Sequence, residues 1–197
     1  MKSFEEIKSF FSSRPNDLSV FPSNACEGCC WTFLNVMYRP LTLVKYAIQM
    51  YFVGPNLPFV IYFITISLHA LAVLVFFFLL SGFLPLISSC FGAFFFALHP
   101  SVFTWIGQFC CQSFHLTIIC LGICLILLQN FVKKGNYWRI FFATIFFAIP
   151  LWMHELSIVF PFWLAISLYV IRFENEKLRI ILPFFIVLGL YLFAKLM

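Results

Sequence analysis

Apolar residues fall in six runs separated by short polar breaks. A helix needs about 20 residues to cross a hydrocarbon core of about 30 Å. Pro58–Leu80, Gln112–Phe131 and Arg179–Met197 meet that length. Leu84–Leu98 and Trp138–Met153 are shorter and would cross with help from neighbours. Glu155–Ile171 follows after only His154. The pattern predicts an all-α fold, a polytopic transmembrane helical bundle of about six apolar segments.

The N-terminal part is less hydrophobic. Ser3 to Glu6 could cap a short helix with Phe4, Ile7, Phe10 and Phe11 on one face. Ser12 to Gly28 reads as loop, being rich in Ser, Pro and Asn. Leu41 to Phe52 is an amphipathic run carrying Lys45 and Gln49 and closed by Gly54-Pro55. It is too short to span and predicts a helix lying in the membrane interface. Two regions follow: 1–57, an extracytoplasmic loop with interfacial helices, and 58–197, the transmembrane helical domain.

Composition sharpens this picture. Hydrophobic residues make up 63% of the chain and charged residues 10%, against about 25% charged in soluble domains. Such a chain is an integral, multi-pass membrane protein whose partner is lipid. The net charge of +5 is spread along the sequence, which argues against nucleic acid as a partner. Acids in the first turns exclude a secretory signal. The eight Cys make no disulfide framework, and Cys90, Cys120 and Cys124 sit inside apolar runs as small hydrophobes. Cys26-Glu27-Gly28-Cys29-Cys30 is half of a metal knuckle with no second pair to complete it, so no metal is expected.

Charge also orients the bundle. Lys133, Lys134 and Arg139 share one short connection, and Arg172, Lys177 and Arg179 share another. Both are expected on the cytoplasmic side. Alternation then places His99–Cys111 and the His154-Glu155 turn outside, with the N-terminal segment. Five basic residues would be translocated there, so either the bundle is oriented the other way or a first span upstream of Met1 is missing from this chain.

On that outer side the polar residues collect. Phe94 to Gln112, FFFALHPSVFTWIGQFCCQ, breaks at His99-Pro100 and puts Trp105, Gln108 and Gln112 at a hairpin tip. Proline stops a helix, and a Trp beyond an apolar run marks a membrane interface. Tyr38, Arg39, Gln49, His115, His154 and Glu155 also lie near outer span ends. Glu155 is the only acid between Glu27 and Glu174. It is either a partner of His154 or of an outer basic residue, or a functional carboxylate. His69 lies mid-span, as a functional group or as an imidazole bonded to a neighbouring helix.

Tyr38-Arg39-Pro40-Leu41-Thr42, Gly54 to Pro58, Leu68-His69-Ala70-Leu71, Phe96-Ala97-Leu98-His99-Pro100, Trp105-Ile106 and His154-Glu155 to Pro161 come in a familiar order. The set resembles the GT-C class of multi-spanning glycosyltransferases, in the branch similar to protein O-mannosyltransferases, including those joined to tetratricopeptide repeats. The resemblance covers roughly residues 30–165, each motif being weak and the ordered set more specific.

It implies transfer of a sugar from a polyprenyl-phosphate donor to an acceptor hydroxyl on the outer or lumenal face. The membrane would be a bacterial inner membrane or that of the ER. No cofactor beyond that donor substrate is implied. Arg39 matches the family's arginine, whose planar fork suits a phosphate. Glu155 matches the turn acid and is the catalytic candidate. His154 stands where lysine is usual, so a constant charge is replaced by one that titrates. Tyr38, Arg39, His99, Trp105 and His154 are the expected substrate-binding residues, converging with Glu155 on one outer cavity.

The departures are specific. The family's main catalytic acid lies after a first span, upstream of this chain, and Asp17 is not in the matching motif. Cys110 to His115 lack the basic and acidic pair that usually follows Trp-Ile. The chain therefore reads as a fragment or degenerate copy, with donor binding expected to outlast turnover. The alternative is a non-catalytic membrane protein, a transporter part or an assembly subunit. Against a transporter, Pro150 and Pro161 fall near span ends and not mid-membrane.

Overall fold

The computed structural model describes residues 40–53, 58–99, 112–170 and 177–196. Among the described residues there are seven α-helices and one 3-10 segment, and no strand. They are α1 (Pro40–Val53), α2 (Pro58–Ser81), α3 (Leu86–Leu98), α4 (Gln112–Lys134), α5 (Trp138–Leu151), the 3-10 segment Glu155–Val159, α6 (Phe160–Val170) and α7 (Lys177–Leu196). The N-terminal helix expected at Ser3 and the Cys26–Cys30 cluster lie outside the described residues.

Among the described residues, three helices are long and apolar enough to cross a membrane: Phe59–Ser81, Gln112–Lys134 and Arg179–Leu196. Leu86–Leu98, Trp138–Leu151 and Glu155–Ile166 are shorter apolar helices. The 13 residues of α3 rise only about 20 Å, well short of a hydrocarbon core.

Helices pack both on their sequence neighbours and on the helix two places along, and these second-neighbour pairs run parallel: Thr65 meets Gln112 and Leu79 meets Gln129, as Phe147 meets Phe184 and Trp152 meets Tyr191. α3 lies on α2, α2 on α4, α4 on α5, and α5 on α7, which also contacts α6. α4 is therefore covered on two sides. One apolar cluster joins Ala72 and Val75 of α2 to Ile119 of α4. The other joins Cys124, Leu128 and Phe131 of α4 to Ala143, Phe147 and Leu151 of α5 and to Ile180, Phe184 and Leu188 of α7. Phe147, Phe160 and Phe184 meet with ring centroids 5.3–6.2 Å apart, within the range of favourable aromatic pairs. The other faces carry exposed Phe, Leu and Ile, among them Phe59, Phe63, Phe95 and Phe193, as lipid-facing surfaces do.

Two glycines matter for different reasons, one for space and one for backbone conformation. A Cβ at Gly122 would lie 2.5 Å from Val75 Cγ1, so α2 and α4 pack on a notch. Gly135 follows α4 with φ +67° and donates its N–H to Phe131 O at 2.7 Å, a left-handed cap that glycine adopts without cost.

The expected span Glu155–Ile171 begins differently. Pro161 has no N–H to offer the Ser157 carbonyl, and Phe160 N–H bonds it instead. That three-residue spacing tightens Glu155–Val159 into a 3-10 turn, and α6 starts after it.

The two ends of the bundle differ in chemistry. Lys133 reaches Gly82 O at 3.5 Å, Arg139 bonds Asn130 O, and Arg179 bonds Tyr137 Oη at 3.1 Å. The end of α2, the α4–α5 connection and the start of α7 thus share one basic end. Gln112, His154 and Tyr191 lie at the other.

Candidate functional site

Helix α1 is turned the opposite way from a helix resting on a water-facing surface. Thr42, Lys45 and Gln49 follow one another at helical spacing on one stripe. Thr42 and Gln49 are buried and Lys45 is half-buried, while Val44, Ile48, Tyr51 and Phe52 are exposed. The polar stripe faces the bundle and the apolar side faces out.

Two polar groups of that stripe, Thr42 and Lys45, meet different parts of the chain. Thr42 Oγ1 donates to Met153 O at 3.1 Å, which fastens α1 to the turn before His154. Lys45 Nζ donates to Gln112 Oε1 at 3.0 Å. Gln112 is fully buried, and its Nε2 donates to Thr65 Oγ1 at 2.7 Å and to Ile61 O at 3.4 Å. Thr65 Oγ1 in turn donates to Ile61 O at 2.9 Å. One glutamine amide thereby ties α1, α2 and α4 together, with both ends of the amide used. An amide buried without such partners costs several kcal/mol in an apolar medium, so the network and the burial require each other.

The His154-Glu155 turn closes the same end. His154 is buried, its ring 4.3 Å from that of Phe114 on α4. Its Nδ1 accepts the Leu156 N–H at 3.3 Å and so caps the 3-10 turn. Accepting requires a lone pair on Nδ1, which leaves Nε2 as the nitrogen that can carry a proton. Glu155 is partly exposed at the start of the turn and is the only carboxylate among the described residues.

More polar atoms are buried here than the described residues satisfy. Gln49 Nε2, Ser113 Oγ and Ser157 Oγ are buried with no hydrogen-bond partner among them. Buried polar atoms are paired as a rule, and such an orphan marks a place for water or a polar ligand. Deeper in the bundle, His69 Nε2 lies 3.2 Å from Ala97 O, and its ring is 5.4 Å from that of His115. A carbonyl only accepts, so Nε2 donates. Ala97 is in the last turn of α3, where carbonyls lack helical partners, and His69 from α2 covers this one.

The expected site residues fall in three groups. His154 packs on Phe114 of α4 beside the Met153 carbonyl that Thr42 of α1 reaches, and Glu155 follows it at the start of the turn. His99 lies at the end of α3 with its N–H on Phe96 O at 3.4 Å and its side chain exposed. Tyr38, Arg39 and Trp105 lie outside the described residues. Arg39 directly precedes α1, three residues from the Thr42 that reaches Met153. Thr42 and Thr65 were not expected at the site, because a Thr in an apolar run reads as bonded within its own helix. Among the described residues no group of three or more His, Cys, Asp or Glu side chains is placed to hold a metal ion.

Comparison of the chain with protein-family models, with curated proteins and with solved structures finds no match.

Proposed function

We propose that this polar end is the donor-lipid site of a GT-C-like membrane protein, one that holds a polyprenyl-phosphate-linked sugar at the outer or lumenal face. The observation that carries the reading is the bond from Thr42 to Met153 O. It puts the helix that follows Arg39 against the turn that bears His154 and Glu155. A phosphate needs cations and N–H or O–H donors, and an acceptor hydroxyl needs a carboxylate close by. Arg39 would bind the phosphate by its fork. Lys45, half-buried beside Gln112, would add a second charge at the rim. Glu155 would orient the acceptor or take its proton. The orphaned amide and hydroxyls of Gln49, Ser113 and Ser157 supply the polar lining that a sugar requires.

In this reading all six apolar helices cross the membrane. The short α3, α5 and 3-10/α6 units rely on the long α2, α4 and α7 for cover, and α1 lies in the outer interface with its apolar side in lipid. The membrane is a bacterial inner membrane or that of the ER.

The test is photolabelling of the purified chain with a photoreactive polyprenyl phosphate, followed by peptide mapping. Labels are expected on peptides holding α1, the start of α4 and residues 153–159. Losing one charge-assisted contact weakens binding by about ten-fold, so Arg39→Ala should cut labelling by that factor. Lys195→Ala, a basic site on another helix, should leave it unchanged. Labels at the basic end, or equal losses in the two variants, would overturn the assignment.

A further inference from the structure

A second site lies at the opposite, basic end. A cleft of ≈ 520 Å³ opens between α2 and α4, lined by Val75, Phe78, Ile123 and Ile126 on its deeper wall and by Ser81, Gly82, Gln129, Asn130 and Lys133 toward the end of the helices. Apolar and polar lining are thus separated along the helix axis, in the same sense as acyl chain and head group along a membrane normal.

The polar part of the lining is held in shape. Gln129 Nε2 donates to Leu79 O at 3.1 Å. A Cβ at Gly82 would lie 2.3 Å from Gln129 Oε1, so glycine there lets the amide sit across the end of α2. Ser81 Oγ donates back to Phe78 O at 2.9 Å. Lys133 makes one long contact, 3.5 Å to Gly82 O, and its exposed ammonium keeps donors for another acceptor. Arg139 is bonded to the carbonyl of Asn130, which places a second cation beside the cleft. Lys134 adds a third charge at the same helix end but does not line the cleft. No carboxylate among the described residues lies at this end.

We infer that this cleft holds an anionic phospholipid, its phosphate on Lys133 and beside Arg139, and one acyl chain along Val75, Phe78, Ile123 and Ile126. Charge complementarity selects an anionic head group, and the divided lining selects a lipid over a soluble phosphate. Basic pockets between membrane helices bind such head groups by this combination. The inference is independent of the donor-lipid reading, which concerns the other end.

The experiment is native mass spectrometry of the full chain in detergent, with phosphatidylglycerol, phosphatidylcholine or inorganic phosphate added. Retention of phosphatidylglycerol over phosphatidylcholine is expected, with no retention of inorganic phosphate. Lys133→Gln should reduce that preference by about five-fold, the factor one lysine carries at an anionic membrane surface. Lys134→Gln and Lys195→Gln should leave most of it in place. Equal retention of the two lipids by the unaltered chain would overturn the site. So would a Lys134→Gln loss as large as that of Lys133→Gln, which means diffuse charge, or capture of inorganic phosphate alone.

Discussion

Lys45 Nζ donates to Gln112 Oε1 across 3.0 Å, joining a helix that starts the described chain to one 67 residues later. The same amide donates to Thr65 from its other end, so three helices depend on one side chain. Interhelical hydrogen bonds in membranes are worth about 0.6 kcal/mol on average. Gln112→Leu should therefore destabilise the bundle by roughly 1–2 kcal/mol, because three such bonds go at once. Thr65→Val should cost about 0.6 kcal/mol alone and less when Gln112 is already Leu. Steric-trap unfolding of the single and double variants reads this coupling. Additive costs would mean the two side chains do not act together.

Packing of α2 on α4 predicts a rescue. Gly122→Ala forces a methyl against Val75 Cγ1 and should cost about 1–3 kcal/mol, in the range of overpacked cores. Adding Val75→Ala opens the space and should restore part of the loss. An unfolding titration in which the double variant is less stable than either single one would contradict the notch.

Gly135 provides a backbone test without any side-chain contact. Its φ of +67° lies in the left-handed region and nothing is within reach of an added Cβ. Gly135→Ala should lower stability by about 1 kcal/mol, and Gly135→Asn by less, since Asn tolerates that region. Equal stability of the three proteins in thermal denaturation would count against the cap.

His154 should behave as a cap before it behaves as a charge. Replacing it by Leu removes the acceptor of the Leu156 N–H and should cost about 1 kcal/mol. Asn, a good cap, should recover most of that. If His154→Asn is as unstable as His154→Leu, the ring's packing on Phe114 is what matters.

Orientation is open to direct measurement. Asn136 lies at the basic end and Leu156 at the other, both exposed. With a membrane-impermeant thiol reagent applied from outside sealed cells, labelling of Leu156→Cys should rise above the background of the native cysteines. Asn136→Cys should add nothing. The reverse pattern would invert the bundle and move the polar end to the cytoplasm.

Much of this was readable from residue order because membrane segments are written as long apolar runs. Pro58–Leu80, Gln112–Phe131 and Arg179–Met197 fall within a few residues of the three long helices. Charge sorting likewise pointed to Lys133 and Arg179 on one side, and Arg179 is found on Tyr137 at that end. The inward turn of α1 was not readable. Amphipathicity fixes that a helix has two faces, and in a bilayer either face can be the buried one. The partners of Thr42 and Lys45 lie 111 and 67 residues away, beyond any local pattern. The 3-10 turn was half-written, in Pro161, but its cap rests on a histidine ring orientation that no spacing specifies.

The inverted stripe of α1 has a consequence for how the chain is made. Synthesised before α2 to α7, α1 carries Thr42 and Lys45 with neither Met153 nor Gln112 yet made, and Gln49 on the same stripe. Lipid would not accept that stripe unpaired, so the segment must wait at the water boundary while α2 to α4 enter the bilayer. Gln112 becomes available first and Met153 later, so the helix is seated in two stages, like a latch engaged first by its middle and then by its end. An assembly defect in α5 would leave α1 unlatched although its own sequence was intact, and newly made chains stalled before residue 153 should expose α1 to protease.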